Sequence, residues 1–145
     1  MSLAMTKKER EAFLADLHVG VISIQQDGSS PLSVPIWYDY TPEAGVWVIT
    51  ANSSQKAQLL KVAGRFTLVA QSEEPPSYCY VSVEGPVVET RPADLEADVA
   101  PMARRYFGEE LGNAYAKATG AEGQTVYVMR PERWRTVDYA QLTSE

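Results

Sequence analysis

The stretch Thr50-Ala51-Asn52-Ser53-Ser54-Gln55-Lys56 has the residue types and spacing to do chemistry. It joins an apolar run, Val46-Trp47-Val48-Ile49, which reads as a strand, to a helix predicted from about Ser54 to Ala63. A strand that ends in small hydroxyl and amide residues and then opens a helix leaves backbone N–H groups unpaired at the positive end of the helix dipole. Ser53 or Ser54 can cap that terminus, and Lys56 adds a full positive charge beside it, so the corner suits a phosphate. The plainer reading is a capped helix with a solvated lysine.

Other reactive residue types stand alone. His18, the only histidine, opens a predicted strand and has no partner at triad spacing, which favours a structural role over general-base catalysis. Cys79, the only cysteine, sits between Tyr78 and Tyr80 and reads as a packing residue, since no second thiol can resolve it. One histidine and one cysteine are too few soft ligands for zinc, so no metal site is expected. Glu84 precedes Gly85 and reads as a local hydrogen-bonding residue before it reads as a base. Trp37, Trp47 and Trp134 are core residues first, with stacking on a planar ligand as the second reading.

The elements that position the corner follow from pattern. With 145 residues, 45% of them hydrophobic, the chain 1–145 fits a single domain, with residues 1–4 read as a cloning remnant ahead of a natural start near Met5. A net charge of −6 argues against general affinity for nucleic acid or acidic membranes, and there is no apolar run of membrane length and no signal pattern; the expected location is cytoplasmic. Thr6-Lys7-Lys8-Glu9 is a capping box that starts a short helix with Phe13, Leu14 and Leu17 on one face. His18–Gln25 reads as a strand, Asp27-Gly28-Ser29-Ser30 as a turn, and Leu32–Tyr40 as an antiparallel partner that Pro35 confines to an edge or bulge. After the helix ending at Gly64 come a strand over Arg65–Ala70 and a turn at Glu73-Glu74-Pro75-Pro76. A long β run over Tyr78–Thr90 follows, with a bulge at Gly85-Pro86. A helix opening at Pro92 and divided by Pro101, a second over Glu109–Lys117, and strands Thr125–Met129 and Arg133–Asp138 separated by a turn at Arg130-Pro131-Glu132 complete the pattern. The predicted fold is mainly β (α+β): a six- or seven-stranded antiparallel barrel with helices at its rim.

Val34-Pro35-Ile36-Trp37-Tyr38, Val46-Trp47-Val48-Ile49-Thr50, Ser54-Gln55-Lys56-Ala57 with Leu59-Leu60, and Val83-Glu84-Gly85 resemble, in order and spacing, the pyridoxamine 5'-phosphate oxidase-like flavin-binding split barrels. The resemblance covers roughly Val19 to Glu89, with weaker support from Met129 to Trp134. It implies a homodimer with FMN in a groove between subunits. Val34, Pro35 and Ile36 would line the ring, with Trp37 beside them, while Thr50, Ala51 and Asn52 offer backbone groups. Ser54 and Lys56 would contact the phosphate, with Ser53 adjoining. The oxidases proper carry arginine and lysine on the second strand and an Arg-Gln-Val-Arg-Ile-Glu-Gly strand, which here are Pro35-Ile36-Trp37-Tyr38 and Cys79-Tyr80-Val81-Ser82-Val83-Glu84-Gly85. Those losses argue against oxidation of pyridoxamine phosphate itself. A related branch uses the deazaflavin F420, whose oligoglutamate tail would need a basic groove, with Lys7, Lys8, Lys61 and Arg65 as candidates.

Two function classes follow. One is an FMN-dependent oxidoreductase acting on a small apolar or aromatic molecule, with F420 as the alternative cofactor. The other is a non-catalytic flavin- or haem-binding module. Eight Tyr, three Trp and three Phe suit a buried seam, and the expected assembly is an obligate homodimer with an interface on the order of 2,000 Å².

Overall fold

A strand buried within a sheet must satisfy its backbone groups on both edges, and the longest strand here does so with three partners. The computed structural model describes residues 2–75 and 77–142. Strand β6, Cys79–Pro92, pairs along one edge with β5, Arg65–Ser72. Its other edge pairs with β8, Arg133–Asp138, over Cys79–Glu84, and then with β7, Gln124–Met129, over Val87–Pro92. Thus β7 and β8 lie head to tail along one edge. The predicted turn at Arg130-Pro131-Glu132 is instead a kink, with the Arg130 N–H donating to Pro86 O (3.0 Å) and the Glu132 N–H to Glu84 O (2.9 Å). The bulge predicted at Gly85-Pro86 falls between Val87 and Glu89. Gly85 instead makes room for the kink. A Cβ there would lie 1.8 Å from Arg130 O, so only glycine lets the kinked run approach β6.

From β6 the sheet extends both ways. β5 leads to β1, Gly20–Ile24, and β2, Leu32–Ile36; β7 leads to β4, Gly45–Ala51, and β3, Asp39–Thr41. The described residues form eight strands, not six or seven, all antiparallel, in a sheet that curls into a split barrel. The predicted Leu32–Tyr40 strand divides after Ile36, so β2 and β3, at the two ends of the strand order, are joined by Trp37 and Tyr38 alone. Pro35 sits on the edge strand β2, where a missing N–H is tolerated.

The inward faces supply Ile22, Ile24, Val46, Val48, Leu68, Val81, Val83 and Met129 to the core. Helix α1, Lys7–Ala15, carries the expected capping box and buries Leu14, whose carbonyl accepts from the buried Tyr38 hydroxyl at 2.8 Å. Leu17 lies past the helix end and is exposed, contrary to its predicted place on the apolar face. Helix α2, Gln55–Ala63, stops at Gly64, which takes the left-handed conformation at φ +67°. Pro92 ends β6 instead of opening a helix. A π turn over Leu95–Val99 leads into α3, Ala100–Phe107, with Pro101 in its first turn, and α4, Glu109–Thr119, follows between Gly108 and Gly120. Among the described residues no helix is long and apolar enough to cross a membrane. Met1 and Pro76, which figure in the N-terminal and turn expectations, lie outside the described residues.

Replacing Gly85 with alanine drives a methyl group into rigid backbone. Gly85→Ala is expected to cost about 3 kcal/mol or more in urea denaturation. Gly28→Ala, in open space at φ +75°, should cost only about 1 kcal/mol. Equal losses in the two variants would remove the close-approach explanation.

Candidate functional site

A cavity of about 310 Å³ lies where the ends of β2 and β4 meet the first turn of α2 and the α3–α4 pair. Its walls are mostly apolar: Ile36, Trp37, Ile49 and Ala51 from the barrel, Val99, Met102 and Ala103 from the helices. Thr50, Ser54, Lys56 and Gln124 bring polar groups to the side where β4 passes into α2. An apolar slot with a few convergent polar groups is the general form of a small-molecule site.

The corner is built by local bonds. Ser54 caps α2, its Oγ accepting from the Ala57 N–H at 3.1 Å, while its own N–H donates to Ala51 O at 3.0 Å. The first-turn N–H groups of Gln55 and Lys56 have no intrahelical acceptor. Lys56 is half-buried and, among the described residues, makes no ion pair or side-chain hydrogen bond. Asn52 is occupied elsewhere: its N–H donates to Gly123 O (2.8 Å), its carbonyl accepts from the Gln58 amide (3.3 Å), and its side-chain oxygen accepts from the Thr125 hydroxyl. It holds the corner in place without lining the cavity.

Of the residues predicted from sequence, Ile36, Trp37, Thr50, Ala51, Ser54 and Lys56 line this cavity; Val34, Pro35, Asn52 and Ser53 do not. Val34 packs against the core, Pro35 faces outward from β2 as strand alternation requires, and Ser53 is exposed. The sequence pattern does not single out Ile49, Gln124 or the whole roof, from Val99 to Thr119. The stripe Leu95, Val99, Met102, Ala103 is visible as a helix face, but nothing local says what a helix face covers.

The roof is fastened to the barrel at the β2–β3 link. Trp37 stacks on Tyr106 with ring centroids 4.9 Å apart and planes within 7°, and meets Phe107 edge-on at 5.0 Å. The Arg105 guanidinium donates to Tyr38 O (3.0 Å) and Asp16 O (2.8 Å), and pairs with Asp39 at 3.1 Å. The Tyr106 hydroxyl accepts from the Tyr38 N–H (3.1 Å) and lies 2.5 Å from His18 O. Burial pushes the Tyr38 and Tyr106 phenols up, so both stay protonated anchors. At the roof's other end Arg91 holds Asp98 in a two-pronged contact (2.5 and 2.9 Å), and that hydrogen-bonded guanidinium keeps the nearly buried carboxyl below the usual aspartate range.

The lone reactive residues lie outside the cavity. His18 stacks on Phe13 (4.3 Å) with Nε2 3.1 Å from Phe13 O, and burial lowers its pKa. Glu84 is paired with Arg135 (2.8 Å) and Arg65 (3.6 Å), and the Arg135 hydrogen bond lowers its pKa. Burial raises the Cys79 thiol, the wrong direction for a thiolate nucleophile. Among the described residues no group of three or more His, Cys, Asp or Glu could hold a metal ion.

The sequence profile described as Pyridoxamine 5'-phosphate oxidase matches residues 6–138. Among solved structures, a conserved hypothetical protein, Rv2991, from Mycobacterium tuberculosis superimposes with a TM-score of 0.78 at 20% identity, over 99% of this chain and 91% of that one. An F420 reductase gives 0.68 at 16% identity over 86% and 94% of the two chains. An FAD-binding protein from Mesorhizobium loti gives 0.66 at 17% over 93% and 96%. At these identities the likeness establishes the fold. No curated protein matches the sequence significantly.

Asp98 ties the π turn to β6, and its folded pKa is depressed, so its contribution is present above the ordinary aspartate pKa of about 3.9 and is lost as pH falls through the lower folded value. Because Arg91 is partly exposed, Asp98→Asn should cost only about 1–2 kcal/mol at pH 7. The gap from wild type should narrow below about pH 4. Thermal melts at pH 7 and pH 3 measure both, and a gap that does not change with pH contradicts the assignment.

Proposed function

This chain belongs to the pyridoxamine 5'-phosphate oxidase family, and from that premise we propose that it is an oxidoreductase that binds FMN in the cavity beneath α3 and α4 and acts on a small, uncharged apolar or aromatic molecule. The observation that carries this reading is Lys56, a cation with no ionic partner among the described residues, on the wall of an apolar slot at the capped end of α2. The residues fit the group. Lys56, the Ser54 hydroxyl and the first-turn N–H groups are all donors suited to a phosphate, and Ile36, Trp37 and Ile49 offer apolar wall to a flat ring. When bound, the cofactor supplies the hydride chemistry. The roof residues Met102 and Ala103 keep water from that slot, and Trp37 is fixed by its stack on Tyr106.

Among the described residues Lys56 is the only charged one lining the cavity. With Lys56 engaged by the cofactor, a second phosphate would find no cation, which supports an uncharged substrate over pyridoxamine phosphate. F420 is the second reading, favoured by the likeness to an F420 reductase. Its acidic tail lacks an evident groove, because Lys7, Lys8, Lys61 and Arg65 do not line the cavity and Arg65 is paired with Glu84 and Glu132. A homodimer is supported by apolar residues left exposed on one outward sheet face: Val21 on β1 and Tyr80 on β6, with Val69 and Ser82 paired between those strands, and Tyr78 and Tyr139 at the same end.

Lys56→Ala should weaken FMN binding by about 1.5–3 kcal/mol while leaving the apo melt nearly unchanged. Raising salt should weaken the wild type more than the variant, because screening acts on the charge the variant lacks. Fluorescence titration with FMN and F420 at two salt concentrations measures this. Unchanged affinity for both ligands returns the corner to an ordinary helix cap. Light scattering should give a dimer that Tyr80→Arg weakens; a wild-type monomer at all concentrations rules out the shared interface.

A further inference from the structure

The apolar lining of the cavity does not stop at its mouth. Along α4, Leu111, Tyr115 and Thr119 recur about one turn apart and form one stripe; Tyr115 and Thr119 line the cavity, and Leu111 continues the stripe beyond it. Phe107, at the end of α3, lies beside that stripe, its ring centroid 5.0 Å from that of Trp37 and 5.3 Å from that of Tyr115. Phe107, Leu111 and Ala114 line a second, shallow groove of about 520 Å³, which adjoins the cavity where the Phe107 and Tyr115 rings meet. Phe107, Leu111 and Tyr115 are 40%, 58% and 41% exposed. Single exposed apolar side chains are ordinary, but three neighbours that lead into a cavity mark a binding surface. Glu109 and Glu110 also line the groove, and neither has an ion-pair partner among the described residues.

We propose that this groove holds the apolar extension of an elongated substrate whose reacting ring enters the cavity, and that its two carboxylates favour extensions ending in an uncharged or cationic group. This rests on the reading of the cavity given above and defines the substrate class more closely. A volume of about 310 Å³ is at the small end of ligand sites, which run from roughly 300 to 1,000 Å³. With a cofactor in it, only part of a substrate finds room there, and the apolar surface that continues outward is Tyr115, Phe107 and Leu111. An anionic end would meet two unpaired carboxylates, whereas a cationic end would pair with them. Lys56 inside and Glu109 with Glu110 outside therefore favour opposite charges.

The test is calorimetric titration of the FMN-saturated full chain with naphthalene and with naphthalenes carrying a hexyl chain, either plain or ending in trimethylammonium or carboxylate. The plain chain should tighten binding about tenfold or more over naphthalene itself. The trimethylammonium probe should bind about three- to tenfold more tightly than the carboxylate probe at low salt, and added salt should close that gap. Leu111→Gln keeps a good helix former and removes the apolar contact; it should forfeit about threefold or more of the gain from the chain while leaving naphthalene binding within about twofold. Replacing Glu109 and Glu110 together with Gln should abolish the charge preference. Melts of each variant separate binding from folding. Affinity that does not depend on the chain, a Leu111→Gln loss equal for short and long probes, or equal binding of the two charged probes at low salt overturns the proposal and leaves the reading of the cavity standing. A Leu111→Gln variant that binds every probe like wild type but dissociates a dimer in light scattering assigns the groove to a second copy and also overturns it. A wild type that binds neither FMN nor naphthalene removes the reading of the cavity and this inference with it.

Discussion

The pairing of β6 along both edges is the constraint from which the rest of the molecule follows. Its partners on one edge are β7 and β8 in succession, so the chain must pass from one to the other without leaving the ladder, and it does so through Arg130-Pro131-Glu132. Pro131 cannot donate to the ladder, while Arg130 and Glu132 on either side of it still bond to β6. Gly85 gives them the room. A sheet that shares one long strand between two halves curls, and its ends, β2 and β3, are brought within two residues of each other.

That arrangement also sets where the cavity lies. Because β7 pairs with β4 as well as with β6, Ala51 comes opposite Gln124 at the end of the sheet where α2 begins. Three connections meet there. The Ala93 N–H, leaving β6, donates to Gln124 O; the Asn52 N–H, leaving β4, donates to Gly123 O; and the Gln124 side chain donates to Gly120 O at the end of α4. The roof is therefore tied to the same point as the helix terminus it covers, and at its far side to the β2–β3 link through Arg105 and Tyr106. The cavity is the space these two attachments enclose.

The features legible in the sequence are those that local chemistry decides. The Thr6–Glu9 capping box, the Ser54 cap, the Gly64 stop and the division at Pro101 each depend on residues within one turn, and each stands where expected. The departures come from distant contacts. Gly85-Pro86 has the composition of a bulge, yet Gly85 is there for the approach of residues some 45 positions later, and the bulge moves to Val87–Glu89. Arg130-Pro131-Glu132 has the composition of a turn, but its bonds to β6 reduce it to a kink within a run that stays along that strand. Pro35 does not share the cavity wall because it must face away from its neighbours on an alternating strand, and Val34, on the same face as Ile36, packs against the core two residues short of the β2 end where the cavity lies. The roof over the cavity leaves no local signature beyond an apolar helix face.

The electrostatics of α2 bear most directly on function. A helix start favours acidic residues, and α4 conforms, with Glu109 and Glu110, while α1 sets Glu9 beside Lys7 and Lys8. Helix α2 has no acidic residue in its first turn and carries Lys56 there instead, against its dipole. Arg65, Arg91, Arg105 and Arg135 are all engaged by carboxylates in a chain whose acidic residues outnumber the basic 19 to 13, so a carboxylate partner for Lys56 would have been easy to supply. A locally unfavourable charge left unpaired on a cavity wall makes sense when its counter-charge is brought by a ligand. An anion seated there would relieve the repulsion between Lys56 and the helix terminus as well as meet the free N–H groups, so the same feature that slightly weakens the empty helix strengthens the loaded one.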